Sequence, residues 1–326
     1  MKSFKVCFVF AVSLFFTGLS VFAWTSEEQM AYEGRINALG EFISSNASLE
    51  EAFENMNKGT MLYNLSQKAK YQEEVLGLLY YQNYNEFWIR GYTKGDTAKL
   101  KNGPEIDSDI YGLYVGMDQA IDLGLPAATL SFYIGYNGAH QTKKDTNSFI
   151  NRNGAMLGLT LVAQEEYLFY GAALNGFYNK NRADGQTYFD SYGANAAFKA
   201  GLNFTSEEGL ITFQPSVMGS YSFIAFEEVE NILDYENAHI WQVAPQALML
   251  FDLGRGCEPY LKVLGSYSRM IKQDKSSSNV PDVYIKPYIE YGFGLQTQWI
   301  AATSFIELTW RSGGLDGFAL RAGINF

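Results

Sequence analysis

From residue 86 to residue 326, hydrophobic and polar positions alternate one by one in runs separated by polar or glycine-containing breaks. A period of two gives a strand one apolar face and one polar face, so each run has different surroundings on its two sides. In one run Tyr111, Leu113, Val115 and Met117 point one way, and Gly112, Tyr114, Gly116 and Asp118 the other. In the next, Leu130, Phe132, Ile134 and Tyr136 oppose Ser131, Tyr133, Gly135 and Asn137. Later, Tyr291, Phe293 and Leu295 oppose Glu290, Gly292, Gly294 and Gln296. In the last ten residues, Phe318, Leu320, Ala322, Ile324 and Phe326 alternate with Ala319, Arg321, Gly323 and Asn325. The pattern predicts about twelve strands, at 86–95, 107–119, 127–138, 150–163, 166–179, 188–203, 208–224, 238–252, 256–270, 284–299, 302–312 and 317–326.

The breaks between runs carry a second pattern. Those after the fourth, sixth, eighth and tenth strands are tight: Gln164-Glu165, Thr205-Ser206-Glu207, Leu253-Gly254-Arg255 and Ala301. Those after the first, third, fifth, seventh and ninth strands are longer and polar: TKGDTAKLKNGPEID, NGAHQTKKDTNSF, NKNRADGQT, IAFEEVENILDYEN and KQDKSSSNVPDV. Short turns on one rim and long loops on the other fit a barrel of the outer-membrane type, with short turns periplasmic and both barrel ends there. Pro215, Pro245, Pro259 and Pro287 fall inside predicted strands and each removes a ladder donor. Three of them are expected near strand ends, whereas Pro245 calls for a bulge or a shifted strand.

Residues 24–85 follow a different rule. Thr25-Ser26-Glu27-Glu28 and Ser48-Leu49-Glu50-Glu51 both have the spacing of a capping box. After the second, Leu49, Ala52, Phe53, Met56, Met61, Leu62, Leu65 and Ala69 recur at helical spacing. Two or three acidic helices are expected here, too few to bury a large core. Ahead of them, Lys2 and Lys5, an apolar stretch from Val6 to Leu19, and Val21-Phe22-Ala23 read as a secretory signal over residues 1–23. That leaves Cys257 as the one cysteine of the mature chain, so neither a disulfide within it nor a thiolate metal cluster is expected.

Composition narrows the class further. Beyond the signal no apolar run is long enough for a transmembrane helix. Aromatic residues make up 16%, with 23 Tyr, 24 Phe and 31 Gly, which suits short amphipathic strands with aromatic girdles. A formal charge of −11 argues against nucleic acid as a partner. If each apolar face meets lipid, then Arg90, Asp118, Lys199, Lys262, Lys286, Glu290, Glu307, Arg311 and Arg321 face the lumen. A charge on the lipid side near the midplane costs about 2–4 kcal/mol, which enforces this sorting. Twelve strands enclose a space that one helix about fills, narrower than the open channel of a larger porin.

Taken in order, the strands resemble the translocator β-domain of autotransporters, the type V secretion family. NEFWIRGY (85–92) carries a Trp-x-Arg-Gly opening at Trp88, Arg90 and Gly91, and DIYGLYVGMD (109–118) a tyrosine-glycine second strand. LSFYIGYNGA, SYGANAAFKAGLNF (191–204), ITFQPSVMGSY (211–221), EPYLKVLGSY (258–267), EYGFGLQTQW (290–299) and the closing GFALRAGINF follow in order. The resemblance covers about 87–326 and implies an all-β, monomeric, twelve-stranded antiparallel barrel in the bacterial outer membrane. It further implies outer-membrane lipid, periplasmic chaperones and the barrel assembly machinery as partners, with Phe318, Leu320, Ile324 and Phe326 as the C-terminal assembly signal. Two departures stand out. Lys199 occupies a position where the family often carries a lumenal Glu, and only residues 24–85 take the place of a long passenger. That segment is therefore expected to be a miniature passenger or a plug.

No catalytic motif, cofactor or metal site is expected. Outer-membrane phospholipase, another twelve-stranded barrel, uses a Ser-His-Asn arrangement, but neither His140 nor His239 has a serine at the matching spacing. Omptin-type proteases need an Asp-His couple, and no Asp closely precedes either histidine. His140, beside Gln141 and Thr142, reads as a solvated loop residue. The acidic stretch FEEVENILDYE (226–236) offers oxygen ligands but lacks the glycine-centred spacing of a calcium loop, so a solvated loop is expected. The expected function is to hold or pass a polypeptide segment through the membrane without chemistry. A small diffusion channel or a loop-based adhesin is the alternative.

Overall fold

The computed structural model describes Thr25 and residues 28–46, 85–121, 127–164, 167–184, 187–227, 237–254, 256–271, 280–298 and 302–326. Twelve long strands form one antiparallel meander: β1 (Asn85–Lys101), β2 (Glu105–Ile121), β3 (Ala127–Lys143), β4 (Phe149–Gln164), β5 (Leu168–Ala183) and β6 (Thr187–Leu202). Then come β7 (Ile211–Phe226), β8 (Ala238–Phe251), β9 (Cys257–Ile271), β10 (Tyr288–Gln298), β11 (Thr303–Gly313) and β12 (Leu315–Asn325). The sheet closes on itself. β1 pairs with β2 along one edge and with β12 along the other, from Trp88↔Asn325 to Ala98↔Leu315. Closure leaves neither terminal strand with an open edge, the condition for a sheet to cross hydrocarbon. Among the described residues no helix is long and apolar enough to cross a membrane.

Alternation decides which side chains enter the lumen. On β12, Phe318 and Leu320 are exposed on the outside while Ala319 and Arg321 are buried within. Tyr111, Tyr136, Tyr178, Tyr192, Tyr221 and Tyr267 stand on the outer face with Trp310 and Phe318, above the aliphatic Leu113, Ile134, Leu174 and Val263. This is an aromatic girdle over an apolar band.

The odd-numbered connections define what we call the upper rim, and the even-numbered ones the lower rim. Three of the long loops expected on the upper rim are largely strand, and the other two, at 224–237 and 272–283, lie mostly outside the described residues. TKGDTAKLKNGPEID is β1 and β2 joined by Asn102, Gly103 and Pro104, and β3 continues to Lys143. His140 therefore lies in a strand, not a loop. Above the girdle both faces of a strand meet polar surroundings, so alternation fades from the sequence while the ladder continues. Strands β1–β6 have 16 or 17 residues and β10–β12 only 11, so one side of the barrel stands taller.

The prolines interrupt ladders without shifting them. Pro245 pairs with Val217 of β7, but on its other side the pairs Leu264↔Gln246 and Tyr267↔Val243 bracket a gap at unchanged register. The bulge expected there is absent. Gly265 stands opposite the ring, and a Cβ there would lie 3.6 Å from Pro245 Cγ. Pro215 does the same to β6: pairing stops at Gly201↔Ser216 and resumes at Phe204↔Phe213, leaving Phe204–Thr205 as a separate short bridge. Across that gap Gln214 Nε2 donates to Asn203 Oδ1 at 2.8 Å. Pro259 precedes the first β8–β9 pair, Tyr260↔Leu250. Pro287 splits the predicted strand 284–299 into the bridge Tyr284–Ile285, which pairs with β1, and β10. Cys257 opens β9 opposite Thr297 and is a free thiol.

Inside, buried aromatics lie flat across glycines of the neighbouring strand. Trp88 covers Gly116, Tyr114 covers Gly135 and Tyr133 covers Gly158; a Cβ at any of these glycines would overlap the ring. The rings also meet one another, Tyr92 stacked on Tyr114 at 5.8 Å and Tyr114 edge-on to Tyr133 at 6.1 Å. Flattened rings pack the lumenal wall while leaving the axis open for another element.

Candidate functional site in the lumen

The element on the axis is a helix, α1 (residues 28–46), buried from Ile36 through Asn46. Its start is the capping box read in the sequence. Thr25 N donates to Glu28 Oε2 at 2.8 Å, and Glu28 N donates to Thr25 Oγ1 at 3.2 Å. The second capping box and the helical spacing after Leu49 lie outside the described residues. Near its N-terminal end, Tyr32 OH donates to the Asn102 carbonyl in the β1–β2 turn at 3.2 Å. Arg35 Nη1 donates to the carbonyls of Val280 and Pro281, at 3.0 and 2.8 Å. Both anchors belong to upper-rim connections, so the helix enters at that rim and runs inward.

Deeper in, one carboxylate is gripped from two strands. Glu41 is fully buried, ion-paired with Arg152 of β4 and accepting from Asn179 Nδ2 of β5. The guanidinium is itself fixed: Nε donates to Gln141 Oε1 at 2.8 Å, Nη1 to Asn181 Oδ1 at 3.0 Å and Nη2 to the Asn37 carbonyl at 3.1 Å. Gln141 Nε2 also donates to the Gly40 carbonyl at 2.9 Å. Gly40 allows this approach, since a Cβ would stand 2.6 Å from Gln141 Oε1. A buried charge with its partner and further hydrogen bonds is held firmly, and removing one member costs the other its ion pair. Ile36, Leu39, Phe42 and Ile43 add apolar burial beside it.

A second charged cluster lies on the wall formed by β1 and β9–β12. Glu290 accepts from Arg311 Nε at 2.6 Å and faces Arg321 Nη1 at 3.3 Å and Lys262 Nζ at 3.4 Å. Glu307 takes Lys262 Nζ at 3.0 Å, Tyr260 OH at 3.0 Å and Arg321. Arg311 also pairs with Asp96 of β1. Six charged groups on five strands thus neutralise one another beside the closing seam, away from the apolar outer face.

The remaining lumenal assignments fall out as follows. Arg90 is buried with its guanidinium 3.9 Å from the Trp88 ring centroid, and Trp88 Nε1 donates to Asp118 Oδ1 at 2.7 Å. Lys199 is buried and donates to Gln246 Oε1 at 2.9 Å. Lys286 departs from the expectation: it is exposed at the rim, where Pro287 ends the strand that would have aimed it inward. Phe318, Leu320, Ile324 and Phe326 lie on the face away from the lumen. Sequence reasoning missed Glu41, Gln141, Arg152, Asn179 and Asp96. Parity carried a signal for the strand residues, since Arg152 shares a face with Met156 and Thr160, opposite Leu157, Leu159 and Leu161. Nothing in the helical spacing singles out Glu41.

No protein-family model and no curated protein matches the chain. Solved structures do. The β-domain of the Bordetella autotransporter BrkA superposes with a TM-score of 0.60 at 12% identity, covering 74% of this chain and 98% of that one. The translocator domain of NalP from Neisseria meningitidis gives 0.55 at 12% identity, covering 82% and 97%. The transport unit of AIDA-I from Escherichia coli gives 0.54 at 15% identity, covering 79% and 95%. The chain has the fold of an autotransporter translocator β-domain.

Proposed function

We propose that this barrel sits in the outer membrane of a Gram-negative bacterium and holds a polypeptide segment of its own chain across its lumen, as an autotransporter translocator does. The observation that carries the reading is the grip on α1: a capped helix entering at the upper rim, with Glu41 bound by β4 and β5. A diffusion pore gains nothing from closing its lumen with a buried ion pair. In this reading residues 1–23 are the signal, 24–85 the lumenal plug or miniature passenger, and 86–326 the barrel. The upper rim faces the cell exterior, so Thr25 lies at the surface. Outer-membrane lipid surrounds a monomer, and the C-terminal Phe318, Leu320, Ile324 and Phe326 are read by periplasmic chaperones and the barrel assembly machinery. The lumen performs no chemistry in this role.

An epitope placed directly before Thr25 tests the reading. Protease added to intact cells is expected to remove it while leaving the barrel whole. Full protection of the epitope, with cleavage only after the membrane is opened, would overturn it.

A further inference from the structure

On the outer face of β3 and β4, apart from the lumen, three side chains form a relay. His140 and Thr142 sit two residues apart on β3 and share its outer face. Asn151 of β4 is the register partner of His140. Asn151 Oδ1 lies 2.6 Å from His140 Nδ1, and Thr142 Oγ1 lies 3.4 Å from His140 Nε2. An amide oxygen only accepts, so Nδ1 carries the proton and donates it to Asn151. That tautomer leaves the Nε2 lone pair facing the threonine hydroxyl, the arrangement in which an imidazole acts as base toward a nucleophile. Phe149, the register partner of Thr142, stands beside the imidazole with ring centroids 5.7 Å apart and supplies one apolar wall. Lys144, two positions beyond Thr142, brings a cation held by Glu105 and Asp107.

The second histidine provides the contrast. His239 meets Tyr221 OH through Nδ1, and among the described residues nothing hydrogen-bonds its Nε2. Only His140 has an orienting acceptor on one nitrogen and a hydroxyl on the other.

We propose that Thr142, His140 and Asn151 form an esterase site on the outer surface, acting on short-chain carboxylic esters presented from the water side. The location favours small, water-borne esters, because His140 and Thr142 lie four and six residues past Tyr136 of the girdle, beyond the apolar band. In the reaction Thr142 Oγ attacks the ester carbonyl carbon while His140 Nε2 accepts its proton. The tetrahedral intermediate collapses, the alkoxide leaves with that proton as the alcohol, and the acyl group stays on Thr142. Water, deprotonated by the same nitrogen, then releases the carboxylic acid and restores the hydroxyl. Asn151 positions the imidazole and touches no substrate. The inference goes beyond the lumenal reading and uses none of its residues.

The test is hydrolysis of 4-nitrophenyl acetate by the full-length protein in detergent micelles, with each variant checked for the heat-modifiable mobility of a folded barrel. Thr142→Ala and His140→Gln are expected to lower the rate by about 100-fold or more. Thr142→Ser is expected to retain it, and Asn151→Ala to lower kcat with KM little changed. Acid quenching is expected to trap an acetyl group on Thr142, visible by peptide mass spectrometry. Phosphatidylethanolamine vesicles are expected to release no fatty acid. A folded Thr142→Ala protein as fast as wild type, a wild type no faster than His140→Gln, or cleavage of the vesicle lipid but not the soluble ester would overturn the proposal. None of these results bears on the epitope experiment, so the two readings fail separately.

Discussion

Glu41 has no contact with solvent, and its charge is met by Arg152 and Asn179 alone among the described side chains that bond it. Glu41→Gln keeps the shape and removes the charge that pairs with the buried Arg152 guanidinium. The expected cost is roughly 3 kcal/mol of helix retention. Planar-bilayer recordings read it out as open bursts in the variant against a quiet wild type; equal traces would show that the ion pair does not hold the helix. Gly135 makes the complementary point about packing. Any side chain there overlaps the Tyr114 ring, which already meets Tyr92 and Tyr133. Gly135→Val is expected to destabilise the barrel by about 1–3 kcal/mol, measured as a lower urea midpoint for loss of the folded electrophoretic band. The glycines were visible as residues on polar faces, but which ring lies over each depends on register between strands, which a single chain does not display.

The strands themselves were legible because hydrocarbon imposes a strict rule on their outer faces. Twelve were expected and twelve formed, most with ends within a few residues. The rule stops where the hydrocarbon stops. Residues 93–107 read as a loop because Thr93, Thr97, Lys99 and Asp107 place polar groups on the outward face, yet the hydrogen-bond ladder needs no apolar face to continue. Pro245 shows how an element absorbs a local defect: the missing donor costs two ladder pairs on the β9 side and nothing in register. Pro245→Ala regains a hydrogen bond and lengthens the list of unfolded conformations. These effects are each near 1 kcal/mol and opposed, so stability is expected to change by less than about 1 kcal/mol in the same urea assay. A larger gain would mean that the gap strains the sheet. The helix was legible at its cap, where Thr25 and Glu28 obey a local code, and illegible in its contacts, where Glu41 meets β4 across more than a hundred residues.

At the scale of the whole molecule, the membrane reading makes detergent or lipid a condition of folding, because the outward aliphatic and aromatic band would otherwise face water. Mature protein diluted from urea into buffer alone is expected to lack the heat-modifiable form, and to regain it in micelles; a folded, monodisperse species in plain buffer would contradict the membrane reading. The charged cluster of Lys262, Glu290, Glu307, Arg311, Arg321 and Asp96 spans β1 and β9–β12, so it completes only when the ring does. That ring is sealed by eleven residue pairs between β1 and β12. The seam's two strands lie at opposite ends of the meander, so one edge of β1 stays unpaired until β12 joins it. Loss of β12 therefore does not trim the protein by one-twelfth; it leaves two raw edges and a half-built charge cluster, and no shorter chain reaches the same end state by stages.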